Sequence, residues 1–262
     1  QAIIRSSRIQ HYIHRASDYG LKAIPAEVDF TAVMQRVDSI IKQIEPHDSV
    51  ARYTELGVDC VSGEAKIISP WQVEVNGETL SARNIIIASG GRPAVPAIPG
   101  LEQCDYLTSD NIWSLQNLPR QLVVVGGGPI GCELAQAFRR LGSEVTMLVR
   151  SHLLPKEDAD VIDQVKLQFE RDGIRVIEQA SIEHIQQRDA KGTIVITCQG
   201  LEPIHCDQLL LAVGRQANTE GLGLETVGIQ TTASGTVAVD KWLRTACPTI
   251  YACGDVAGPY QF

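Results

Sequence analysis

The sequence runs to 262 residues, 44% of them hydrophobic, with a formal charge of -8 at neutral pH. That is enough apolar matter for one large domain or two smaller ones, and the acidic balance lacks the clustered Lys and Arg of a nucleic-acid surface. No apolar run approaches the ~20 residues that cross a bilayer, and QAIIRSSRIQHYIHR lacks the apolar centre of a secretory signal, so a cytoplasmic location is expected.

Along the chain, Ile3 to Tyr12 repeats apolar residues at helical intervals, with no turn until Asp18-Tyr19-Gly20. A second helix is expected from Phe30 to Ile44. Asp29 is its cap candidate, and Phe30, Val33, Val37, Ile40, Ile41 and Ile44 form its apolar stripe. From Val58 the pattern turns to short β-rich pieces, VDCVSG, AKIISP, WQVEV and NIIIA, with a hairpin signal at Asn76-Gly77. The Pro- and Gly-rich GGRPAVPAIPG, Gly90 to Gly100, reads as a connector between structural units.

Beyond Gln121 the order becomes strand, helix, strand, helix, strand: LVVV, Pro129 to Leu141, EVTMLV, Asp158 to Asp172, IRVIE. Two successive crossovers imply a parallel sheet. A β-rich patch from Ile182 to Leu211 follows, and the last strand-like run, TIYA, precedes a Gly254-Asp255 turn. The seven cysteines, at 60, 104, 132, 198, 206, 247 and 253, include no C-x-x-C pair. Most read as small packing residues, and the set as neither a disulfide framework nor a metal knuckle; no metal site is expected.

LVVVGGGPIGCELAQAF places a buried-type strand, then Gly126-x-Gly128-x-x-Gly131, then an amphipathic helix. Dinucleotide binding requires that order. Gly126 permits the tight turn, Gly128 removes a side chain where a pyrophosphate must approach, and Gly131 lets helix and strand pack closely. Gly126, Gly127, Gly128, Pro129, Ile130 and Gly131 are therefore the expected phosphate-binding segment, with the helix N-terminus facing the anion. The next strand ends in Val149-Arg150-Ser151, with no carboxylate to accept from a ribose hydroxyl. Arg150, Ser151 and Lys156 would instead meet a 2′-phosphate, so NADP(H) is expected over NAD(H); the alternative is that Arg150 and Lys156 are ordinary solvated charges.

Four motifs in order give the chain its resemblance to the class I pyridine nucleotide-disulfide oxidoreductases, the group of mercuric reductase, lipoamide dehydrogenase and glutathione reductase. They are NIIIASGGRPAVPAIPG, VVVGGGPIGCELA, AVGRQANTEGLGLE and TIYACGDVAG. The resemblance implies an α/β fold in which a Rossmann-like nicotinamide-dinucleotide domain, 116–240, is inserted in an incomplete FAD-binding domain of three-layer ββα type, 1–115 and 241–262. It also implies FAD contacts at Ala65, Ser89, Gly90, Arg215, Gly254 and Asp255, with Asp255 on the ribityl chain, and a nicotinamide-side position for Glu133 and Gly214.

The redox pair spaced C-x-x-x-x-C that such enzymes carry is not in this sequence, and none of the six histidines has the context of their His-Glu pair. No catalytic residue is therefore assigned, and the chain reads as the middle part of a longer enzyme, expected to be homodimeric. In that enzyme NADPH would reduce FAD, and FAD a disulfide or another acceptor. The isolated piece is expected to be inactive and to hold FAD weakly. A non-catalytic NAD(P)H-binding or regulatory module is the alternative.

Overall fold

The computed structural model describes residues 1–22, 26–187 and 192–259. Part of the expected Ile182 to Leu211 patch, and the YQF that follows the last motif, lie outside the described residues.

Three helices come first, α1 (Ala2–His14), α2 (Phe30–Ile44) and α3 (Val50–Glu55). Asp29 caps α2, its carboxylate accepting the Ala32 N–H at 2.9 Å. Phe30 and Val37 of the expected α2 stripe are buried, joined by Met34, which the stripe did not include, while Ile41 and Ile44 at its end are exposed. The expected β piece at 58–63 is a correction: these residues form no strand and are exposed, because an alternating run without a neighbouring strand has nothing to pair with.

Next come β1 (Ala65–Ser69), β2 (Gln72–Val75) and β3 (Glu78–Ser81), an antiparallel sheet. Val75 stands opposite Glu78 across a two-residue turn in which Asn76 and Gly77 have φ of 53° and 81°, the left-handed pair that Asn-Gly supplies. β4 (Ile85–Ile87) and β5 (Gly91–Pro93) follow. Then come β6 (Gln121–Val125), α4 (Pro129–Leu141), β7 (Glu144–Val149), α5 (Ala159–Asp172) and β8 (Arg175–Glu178). The chain continues through β9 (Ile182–Gln187), β10 (Ile194–Cys198), β11 (Ile204–Cys206), β12 (Gln208–Leu211), β13 (Arg215–Ala217) and β14 (Ile250–Ala252).

Packing divides the chain into two compact units, Gln1–Glu45 with Pro93–Gly214, and Pro46–Arg92 with Arg215–Phe262. This division runs along other lines than the expected cofactor domains 1–115, 116–240 and 241–262, which are defined by what each would bind. In the first unit the parallel sheet has the order β12-β6-β7-β8. Successive strand residues face opposite sides, and β6 shows the result. Leu122 and Val124 join Phe138, Met147, Phe169, Ile3 and Phe30 beneath the helices. Val123 and Val125 join Leu209, Leu211, Ile185 and Ile196 beneath the antiparallel sheet β9–β11. A strand covered on both faces must be apolar throughout, which is why LVVV is unbroken.

The second unit has its own core, with Ile67, Ile87, Val237, Ile250, Ala252 and Val256 buried together. β14 pairs in parallel with β4, Ile250 to Ala252 beside Ile85 to Ile87. The chain is thus a mixed α/β protein of Rossmann type. No helix among the described residues is long and apolar enough to cross a membrane.

Candidate functional site

The glycines of the β6–α4 turn have different surroundings. Gly126 has φ of 122°, and a Cβ there would run into the carbonyl of Ala212. A Cβ on Gly131 would lie 2.8 Å from the Gly126 carbonyl oxygen and 3.3 Å from the Ala212 Cβ. Both positions are glycine because backbone passes through the space a side chain would take. Gly127 is pressed against Val149, 2.6 Å from where its Cβ would be. Gly128 differs from all three: its φ is -79°, and nothing lies within 4 Å of a Cβ built on it.

The missing side chain at Gly128 therefore serves no internal packing and opens a space just before α4. Pro129 occupies the first helical position, where its lack of an N–H costs nothing. The other first-turn amides point outward without helical acceptors, at the positive end of the helix dipole. Ile130 is 37% exposed and Glu133 is exposed. Cys132 is buried between them, where desolvation, helped by Glu133, pushes its thiol up to about 12. A thiol held neutral packs rather than reacts.

Past β7 the chain makes a loop whose backbone is tied down at three points. The Gln179 N–H donates to Ser151 O at 3.0 Å, and the Leu154 N–H to Gly127 O at 2.8 Å. The Leu153 N–H donates to the Glu178 carboxylate at 2.8 Å. Leu153 and Leu154 are buried, so Arg150, Ser151, His152 and Lys156 are left exposed. Gly214, with φ of 124° and open space about it, accepts the Ala94 N–H at 2.9 Å in the same unit.

In the second unit the other expected residues gather around the ends of β4, β13 and β14. Gly254 has φ of 74° and open space where a side chain would stand. Asp255 accepts from the Arg215 Nε at 3.0 Å, and the Arg215 Nη2 donates to Gly91 O at 2.7 Å. Ser89 Oγ donates to Asn218 O at 2.7 Å, Asn218 Nδ2 returns a bond to Ser89 O at 2.9 Å, and the Asn218 N–H donates to Gly90 O at 3.0 Å. Arg92 binds the same asparagine, Nη1 to Oδ1 at 2.9 Å. Ala65 is exposed at the start of β1, opposite Val75.

Sequence reasoning missed three residues that order these segments: Ala212, whose carbonyl limits Gly126; Asn218, which knits the exits of β4 and β13; and Glu178. Ala212 and Asn218 sit within the quoted AVGRQANTEGLGLE, where Gly and Arg drew attention. Glu178 carried no signal, because a charged residue ending a strand is ordinary.

Residues 4–262 match the family described as pyridine nucleotide-disulphide oxidoreductase. The chain is 35% identical over 264 residues to the mercuric reductase of Lysinibacillus sphaericus, covering all of this chain and 48% of that protein. It is 32% identical over 268 residues to the dihydrolipoyl dehydrogenase of Chlamydia muridarum, covering all of this chain and 57% of that protein. Among solved structures, a Cu(II) complex of a mutant of the HOCl-induced flavoprotein disulfide reductase RclA from Escherichia coli superposes with a TM-score of 0.85 at 28% identity. The match covers all of this chain and 56% of that one. The chain thus spans about half the length of the relatives it matches.

Proposed function

Since the chain belongs to the pyridine nucleotide-disulphide oxidoreductase family, a family of flavoprotein oxidoreductases that bind nicotinamide dinucleotides, we propose that its own segment from Gly126 to Gly131 binds NADP(H) in preference to NAD(H). In the whole enzyme, hydride supplied by bound NADPH would reach bound FAD and then a disulfide or another acceptor.

The observation that carries this reading is the open space at Gly128 beside the start of α4, with a tied loop presenting exposed cations in the same unit. Backbone from Gly126 to Gly131 would hold the diphosphate. Arg150, Ser151 and Lys156 would meet the 2′-phosphate, Arg150 as a forked donor and Lys156 as a point charge. Glu133 and Gly214 would flank the nicotinamide half.

For FAD the supporting features are Gly254, open on its side-chain face, and Asp255, held by Arg215. Asp255 would accept from the ribityl hydroxyls, with Ser89, Gly90 and Ala65 along the flavin nucleotide. Arg215 is engaged with Asp255 and Gly91, so we assign it to holding Asp255 rather than to the flavin itself. The cofactor domains are proposed as 1–115 with 241–262 for FAD and 116–240 for the nicotinamide coenzyme. The complete enzyme is proposed as a cytoplasmic homodimer. The 262 residues alone are proposed to be without turnover, since they contain no C-x-x-x-x-C pair.

The reading is tested by titrating the chain with NADPH and NADH, following the fluorescence of Trp113, the half-buried tryptophan of the same unit. The expected result is saturable binding of both, NADPH the tighter by about tenfold or more, the worth of one charge-assisted contact. Equal affinities would remove the 2′-phosphate assignment; no binding of either would remove the site.

A further inference from the structure

We infer that Glu178, on β8, is a positioning residue for coenzyme selection: by holding the Leu153 amide it fixes the loop after β7 so that the side chains of Arg150, Ser151 and Lys156 face one phosphate. The inference rests on the coenzyme reading above and assigns part of its selectivity to a residue that touches no coenzyme.

The geometry begins with register. β7 and β8 run in parallel with Val149 beside Glu178, so the carboxylate stands at the strand tip next to the point where the chain leaves β7. There it accepts the Leu153 N–H at 2.8 Å. Lys166, on α5, reaches the same carboxylate at 2.9 Å and 2.8 Å from its two oxygens. Burial raises the pKa of the carboxyl, but these bonds and the nearby Lys166 and His152 charges outweigh it, and the net shift is downward. Glu178 therefore stays ionised at neutral pH.

Two consequences follow from that arrangement. The backbone on both sides is unusual, with Leu154 at φ of 48° and Gln179 at φ of 55°, conformations that side-chain-bearing residues hold only when the surroundings impose them. The bonds Leu153 to Glu178, Leu154 to Gly127 and Gln179 to Ser151 are what impose them. Second, a carboxylate at a strand tip would ordinarily favour a ribose hydroxyl and repel a phosphate. Here it accepts from an amide and a lysine, so its charge is offset within the unit.

The test uses the 262-residue chain and four purchased probes, NADPH, NADH, 2′-phospho-ADP-ribose and ADP-ribose, titrated by calorimetry against wild type, Glu178→Ala and Glu178→Gln. Thermal unfolding is recorded alongside. Loss of the tether in Glu178→Ala is expected to weaken the two phosphorylated probes about tenfold and the other two by less than about twofold. Glu178→Gln, which keeps an acceptor for Leu153, is expected to lie between wild type and Glu178→Ala. Equal weakening of all four probes would make Glu178 a general fold residue and overturn the inference, as would no weakening of any. Should Glu178→Ala fail to fold, Glu178→Gln decides alone: selective loss supports the role, and uniform loss or none overturns it. If wild type itself binds phosphorylated and unphosphorylated probes alike, the coenzyme reading has failed first, whatever the variants do.

Discussion

At the scale of single residues, the three glycines of G-x-G-x-x-G separate cleanly into packing and access. Gly126→Ala puts a Cβ into the Ala212 carbonyl at a φ of 122°; it is expected to cost roughly 1–3 kcal/mol of stability or more, seen as a lower denaturant midpoint. Gly128→Ala meets no atom within 4 Å and has φ of -79°, so its midpoint should move by less than about 1 kcal/mol. Its affinity for NADPH and NADH alike should nevertheless fall, because the methyl group enters the space assigned to the diphosphate. An unchanged coenzyme affinity in a folded Gly128→Ala protein would refute that assignment. Arg150→Ala should weaken NADPH by about tenfold with NADH nearly unmoved, read by the same titration. The packing constraints at Gly126 and Gly131 were legible in the sequence because each follows from local chain geometry. The pairing of Arg215 with Asp255 was not, since forty residues separate two ordinary charges and only the fold brings them to 3.0 Å.

Among the elements, the first helix carries an unexpected load. Packed against α4 by Ile3, α1 also brings His11 Nδ1 to 3.8 Å from Asp172 at the end of α5. Asp172 is nearly buried and receives Gln136 and Gln168 at 2.8 Å and Arg140 at 3.0 Å, so three helices meet at one carboxylate. Asp172→Ala leaves Arg140 without its partner and is expected to cost about 2–4 kcal/mol, measured by urea unfolding. His11 adds a pH dependence. Its pKa is lowered, by burial first and by Arg140 next, with Asp172 opposing. The unfolded chain therefore binds a proton more readily than the folded one, and stability is present above the ordinary histidine value and lost as pH falls through the folded value. His11→Gln should flatten the stability profile between about pH 7 and pH 5; a profile unchanged in that window would show that His11 does not set it. The periodic elements were readable: α2 and α4 have the bounds their apolar repeats and capping residues predict. The contact of α1 with α4 was hidden, because an apolar face announces that it is covered and not by what.

At the scale of the molecule, the two compact units differ in what they would offer the proposed cofactors. The first has a four-stranded parallel sheet with side chains buried on both faces, and its glycine turn, first-turn amides and cation-bearing loop are all within the unit. In the second, Ser89, Gly90, Gly254 and Asp255 of the proposed FAD residues lie just past the ends of β4 and β14, which among the described residues form a two-stranded parallel pair, whereas all-parallel sheets are ordinarily larger and covered on both faces. The 262 residues also contain one G-x-G-x-x-G turn, and it is in the first unit, so the second brings Asp255 and its supports but no such turn for a second pyrophosphate. An acidic acceptor and a few backbone groups give orientation, while most of the affinity for a dinucleotide comes from its diphosphate and its buried rings. The 262-residue chain is therefore expected to emerge from purification without visible flavin absorbance, and to bind NADPH more tightly than added FAD when both are titrated under one condition. A stoichiometric yellow protein would overturn this, since it would mean that Gly254, Asp255, Ser89 and Gly90 hold the flavin without a second phosphate-binding turn.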